Sequence, residues 1–137
     1  MSPPPMPAIS ALYGGLIGIL LLVLIARIPD IRLRHKIGLG HGDNPVLERL
    51  IRAHGNAVEW GLPAILLLLI AELNRAPVTF LHVCGIGIVV GRVLHAIGLW
   101  SRSGASPGRF LGSLLTWAAV LVLGIWNVWA FVRLALV

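Results

Sequence analysis

Arg49, Arg52, Asn56, Glu59 and Pro63 follow one another at steps of three, four, three and four. At 3.6 residues per turn such steps fall on one narrow face of a helix. Leu62 to Leu73 is an apolar block interrupted only by Glu72 near its end, so a helix long enough to include both groups carries two guanidinium forks, an amide and a carboxylate at membrane depth. Charged groups there are costly and rare unless paired, and they usually face a bundle interior or a wet cavity. The stripe therefore has two readings: ion pairing that holds helices together, or a binding site. For Arg49, near the interface, pairing is the expectation; for Arg52, Asn56 and Glu59 together, it is a site.

A second polar group lies downstream. Arg92 and His95 are one helical turn apart, and Leu99 continues their face. A lone histidine in an apolar helix is more often a packing residue than a ligand, but Arg92 beside it and a polar stripe opposite keep His95 a candidate. The other histidines do not complete a metal site. His35, His41, His54 and His82 give neither H-x-x-x-H nor H-E-x-x-H spacing, and His54 is on the far face from the stripe. No Ser-His-Asp or Cys-His arrangement is present. Asp30 and Asp43 are loop carboxylates, Asp43 reading as a turn or cap residue.

The elements that must position these groups follow from composition. Of 137 residues 58% are hydrophobic and 12% charged, with a mean hydropathy of +0.93, outside the soluble range of about 45–50% apolar and about a quarter charged. The apolar residues are bunched into Ala8–Ile28, Leu62–Leu73, Val78–Leu99 and Leu111–Val132, and a spanning helix needs about 20 of them. The second block reaches that length only if its helix begins near Pro45 and includes the stripe; Asn44-Pro45 supplies the cap and first-turn proline for such a start. The prediction is an all-α integral membrane four-helix bundle, one domain over 1–137, with spans near 8–28, 45–72, 78–100 and 109–133. Pro29 and Asp30 are expected to end the first span. Gly14, Gly15 and Gly18 are expected to let neighbouring helices approach it. Gly38, Gly40 and Gly42 mark a flexible loop without the signature of a phosphate loop.

The formal charge of +6 is distributed as topology, not as a nucleic-acid surface. Arg27, Arg32, Arg34 and Lys36 lie between the first two spans, and Arg102 and Arg109 between the last two; the opposite side has Arg75 and Arg133. The positive-inside rule places both basic loops in the cytoplasm and both termini outside it, with the bilayer as the partner of the basic excess and nucleic acid excluded. The N-terminal Met1–Pro7 lacks the basic region of a signal peptide, so the first span is expected to be retained. Cys84, alone in the third block, reads as a small buried hydrophobe.

The segment GDNPVLERLIRAHGNAVEWGLPAILLLLIAE, Gly42 to Glu72, resembles the MAPEG family, the membrane-associated proteins of eicosanoid and glutathione metabolism, and in particular its small bacterial branch. Its motif, R-x-x-R-x-x-x-N-x-x-E followed by an aromatic residue and then proline, is present as Arg49, Arg52, Asn56, Glu59, Trp60 and Pro63. A second match, G-R-V-x-H, is Gly91 to His95, as in the prostaglandin E synthase branch. The resemblance implies a homotrimer in the bacterial inner membrane, with glutathione as co-substrate bound between subunits near the cytoplasmic face. Arg52, Asn56 and Glu59 match glutathione-contacting positions, with Trp60, Arg92 and His95 as further binding candidates. Arg109 matches, with a shift of one residue, an arginine at the start of the fourth helix that stabilises the thiolate. Trp60 and Leu99 stand where relatives have tyrosine, which points away from eicosanoid chemistry.

The implied activity is a glutathione-dependent transferase or peroxidase acting on small hydrophobic electrophiles. The competing reading is a non-enzymatic protein of the same fold that binds a lipid or other amphipathic ligand in the subunit cleft. A haem bundle would need two histidines facing one interior, and a transporter repeats or broken helices; neither has support in the sequence.

Overall fold

The computed structural model describes residues 6–101 and 104–135; Arg102, counted above among the basic loop residues, and most of the proline-rich N-terminus lie outside them. The described chain is all-helical: α1 (Ala8–Ile25), α2 (Ile28–His35), α3 (Pro45–Leu73), α4 (Val78–Ser101) and α5 (Pro107–Ala135). With α1 and α2 counted as one span, four segments are long and apolar enough to cross a membrane. The protein is an integral membrane four-helix bundle.

Local sequence explains most of the boundaries. Asn44 caps α3 as its side chain predicts, its Oδ1 accepting from the amides of Val46 and Leu47 at 3.0 Å each. Pro29 does not end the first span. The helix breaks at Ala26–Arg27, and Pro29 falls in the first turn of α2, where the missing amide hydrogen costs nothing. The basic stretch that follows is thus helical as far as His35, closed by Lys36 in the left-handed region (φ 55°). The α3–α4 turn ends α3 with paired bonds from Ala76 N to Ala71 O (3.0 Å) and Arg75 N to Glu72 O (2.9 Å), a Schellman arrangement.

The helices pack through glycines, but of those in the first span only Gly14 faces a neighbour, where a Cβ would lie 3.4 Å from the Ile65 side chain of α3. No atom lies within contact distance of a side chain built at Gly15 or Gly18. Instead α1 inserts Ile17 against Gly61 of α3 and the Tyr13 ring against Gly85 of α4. The closest approach is between α4 and α5: a Cβ at Gly112 would come within 2.5 Å of the Gly91 carbonyl, and one at Gly98 within 2.7 Å of the Arg109 amide. Gly108 and Gly112 form a G-x-x-x-G pair, which allows such backbone contact. At the far end, Glu72 accepts from the Ile9 and Ser10 amides (2.9 and 2.7 Å) and the Ser10 hydroxyl. It thereby satisfies the open N-terminus of α1, a role no sequence signal announced.

Candidate functional site

The polar stripe flanks the buried face of α3 and is not part of it. That face is Leu47, Leu50, Ala53, Ala57, Gly61, Ala64, Leu68 and Ala71. Arg49, Arg52, Asn56 and Pro63 each come one residue before a member of it, about 100° round the helix. Arg49 and Asn56 are half-buried, whereas Arg52, Glu59 and Pro63 are exposed on the protomer. Glu59 is fourteen residues from Pro45 and fourteen from Leu73, about 21 Å from either end of the helix.

The stripe opens onto groups from the other helices. Arg52, Asn56 and Glu59 of α3, His95 and Leu99 of α4 and Arg109 of α5 line one cleft of about 400 Å³. A second hollow of about 380 Å³ runs along α5, lined by Ser106, Phe110, Ser113, Leu114 and Trp117 and again by His95 and Arg109. A polar cleft and a mainly apolar groove therefore share two residues. Trp60 does not line the cleft; it packs at 5.9 Å against Trp117, whose ring lines the groove.

Arg92 has a different position from the rest. It is 1% exposed and its donors are engaged within the protomer: Nε to Thr116 Oγ1 (2.9 Å), Nη1 to Asn56 Oδ1 (2.6 Å) and Nη2 to the Gly112 carbonyl (3.1 Å). It clamps α3, α4 and α5 together and fixes the Asn56 amide, so its part in the site is to position Asn56. Thr116 and Gly112 complete this clamp. The G-x-x-x-G spacing was a signal for Gly112; a threonine in an apolar helix gave none.

Arg109 is in the first turn of α5. Ser106 caps this helix, its Oγ accepting from the Arg109 amide at 3.3 Å, and Arg109 Nη1 donates to the Gly104 carbonyl at 2.7 Å. A cation in a first turn works against the helix dipole. The guanidinium and the helix N-terminus here add their positive potentials at the edge of both hollows. Among the described residues the imidazole of His95 has no hydrogen-bond partner, and Arg49, Arg52, Glu59 and Arg109 form no ion pair; the one pair there is the exposed Arg34–Asp30 contact at 2.9 Å. The helix-to-helix pairing expected of Arg49 is thus not made within the protomer, where its Nε is buried without a partner. No group of three His, Cys, Asp or Glu is placed to hold a metal among these residues. His82 is engaged with the Tyr13 hydroxyl at 2.9 Å.

What the arrangement offers is a net-positive cleft with one carboxylate at depth, opening onto an apolar groove. No solved structure matches the chain. Among curated proteins, the inner membrane protein YecN of Escherichia coli strain K12 is 35% identical over 127 residues, covering 88% of this chain and 91% of that protein. YecN of E. coli O6:H1 matches to the same extent. The MAPEG family model matches residues 10–129. With nearly the whole bundle inside that match, the chain belongs to the MAPEG family.

Proposed function

We propose that the protein is a glutathione-dependent transferase of the bacterial inner membrane, acting on small hydrophobic electrophiles. The observation that carries this reading is the junction of the polar cleft and the apolar groove at His95 and Arg109. A tripeptide with two carboxylates, an ammonium and a thiol suits a cleft with Arg52 and Arg109 for its anions and Glu59 for its ammonium. The groove, lined by Phe110, Leu114 and Trp117, suits an electrophile that partitions from the lipid.

In the reaction, the thiol loses its proton and the sulfur forms a bond to the electrophilic carbon. The leaving group departs with the electron pair of its own bond. A free thiol has a pKa of about 8.5, and a neighbouring cation lowers it; Arg109 at the N-terminus of α5 supplies that field. The same thiolate attacking a hydroperoxide oxygen would begin a peroxidase cycle consuming two thiols. Inner-membrane location follows the relatives' names, and the basic loops are placed on the cytoplasmic side.

The test is calorimetry of glutathione on the detergent-solubilised protein, followed by conjugation to 1-chloro-2,4-dinitrobenzene. Saturable binding is expected, weakened about tenfold or more in Arg52→Ala and in Glu59→Gln, since each loses a charge-assisted contact. Equal affinity in all three proteins removes the site assignment. Binding without conjugation removes the transferase reading and leaves a ligand-binding protein.

A further inference from the structure

At the opposite end of the bundle, about 36 Å along α5 from Arg109, a second cleft of about 400 Å³ is formed where the α3–α4 turn meets the last turns of α5. Asn74 and Arg75 line it from the turn, and Trp126, Trp129, Arg133 and Leu134 from α5. Arg75 and Arg133 are the two Lys or Arg residues on this side of the bundle, separated by 58 positions in the chain, and the fold brings both to one hollow. We propose that this cleft binds the phosphate of an anionic phospholipid headgroup, with Arg75 and Arg133 holding the anion and the two tryptophans flanking the glycerol and upper acyl region.

The charge balance supports an anion. The one acidic side chain at this end, Glu72, is engaged by the amides of α1 and the Ser10 hydroxyl. Neither arginine forms an ion pair among the described residues. The Arg133 guanidinium is held 5.4 Å from the Trp129 ring centroid, an orientation by cation–π contact that leaves its hydrogen-bond donors available. Arg75 occupies the left-handed position that closes α3 (φ 60°), where glycine is the ordinary choice and an L-residue costs about 1–2 kcal/mol.

The surroundings favour a lipid as the carrier of the anion. The rings of Trp126 and Trp129 meet at a tilt with centroids 4.9 Å apart, Phe80 lies against Trp126 at 5.3 Å, and this aromatic group lies near the helix ends, where indoles settle at the membrane interface. Trp126 and Trp129 thus line the cleft beside its two cations. A phosphodiester with apolar chains fits this mixture; free phosphate would use the arginines and leave the aromatic wall idle.

The experiment is native mass spectrometry of the detergent-solubilised protein, titrated in parallel with phosphatidylglycerol, phosphatidylcholine and inorganic phosphate. Phosphatidylglycerol is expected to be retained at least tenfold better than phosphatidylcholine, with that preference lost in the Arg75→Ala/Arg133→Ala protein. The Arg75→Lys/Arg133→Lys protein controls for folding and is expected to keep most of the preference. Equal retention of the two lipids by wild type overturns the proposal, as does an unchanged preference in the double alanine variant. Phosphate binding without a lipid preference overturns it too, by showing a simple anion site.

Discussion

Arg109 lines the polar cleft and Arg92 lies one helical turn from its His95, and burial separates the two arginines. Arg92 is buried with three acceptors from α3 and α5 around it. A buried guanidinium must be satisfied in this way, because leaving its donors unpaired costs more than the contacts return. It has little left to offer a ligand and acts through Asn56. Arg109 is half-buried at the rim of two hollows and has one arm tied to its own loop. The expected consequence is specific. In Arg109→Ala the bound thiol loses its counter-charge, so its pKa rises toward the free value of about 8.5, and thiolate absorbance in the glutathione complex appears at higher pH than in wild type. An identical absorbance profile in both proteins would exclude Arg109 as the thiolate's partner.

At the scale of elements, the contact between α4 and α5 decides the site. Gly91 and Gly112 bring two backbones close enough for Arg92 to reach the Gly112 carbonyl and for His95 and Arg109 to meet at one edge. A methyl group at position 112 would meet the Gly91 carbonyl at 2.5 Å and the His95 amide at 2.6 Å, both backbone atoms that cannot turn aside. Gly112→Ala is therefore expected to lower stability by about 1–3 kcal/mol. Gly15→Ala, at a position with nothing within 4 Å, is expected to be neutral within the protomer. Thermal unfolding in detergent, followed by circular dichroism, compares the two. Equal midpoints for the Gly112 and Gly15 variants would contradict the packing account. Gly15 and Gly18 of α1 were legible as small residues but not as unused ones, because whether a glycine is a contact depends on what the neighbouring helix presents.

At the scale of the molecule, the exposure of the stripe is the main fact. Arg52 and Glu59 are on the protomer surface, Glu59 midway along α3, with no ion partner among the described residues. An unpaired charge at bilayer depth costs about 2.5–3.5 kcal/mol or more. The unpartnered Arg49 Nε adds to this. These groups call for cover by another copy of the chain, consistent with the homotrimer that the family resemblance implies. The expected result is three copies by native mass spectrometry in mild detergent. The Arg49→Leu/Glu59→Leu protein, whose stripe would tolerate lipid, should dissociate more readily. A wild-type protein that is monomeric at every concentration tested would contradict this arrangement.

The sequence by itself determined the fold class, because hydropathy and length alone require four spans and because Asn44-Pro45 obliges the second helix to begin early enough to include its charges. It also determined that Arg52, Asn56 and Glu59 share a face, since helical spacing is a local property. The tertiary structure decided which way that face turns. The small residues Ala53, Ala57, Gly61 and Ala64 take the buried seam and leave the stripe about 100° away from it. Tertiary structure alone also separated Arg92, enclosed by Thr116 and Gly112 from a helix twenty residues on, from Arg109, and gathered Arg75 with Arg133. The reason is the same in each case: spacing along one helix gives direction, whereas burial and partnership depend on residues that only folding brings near.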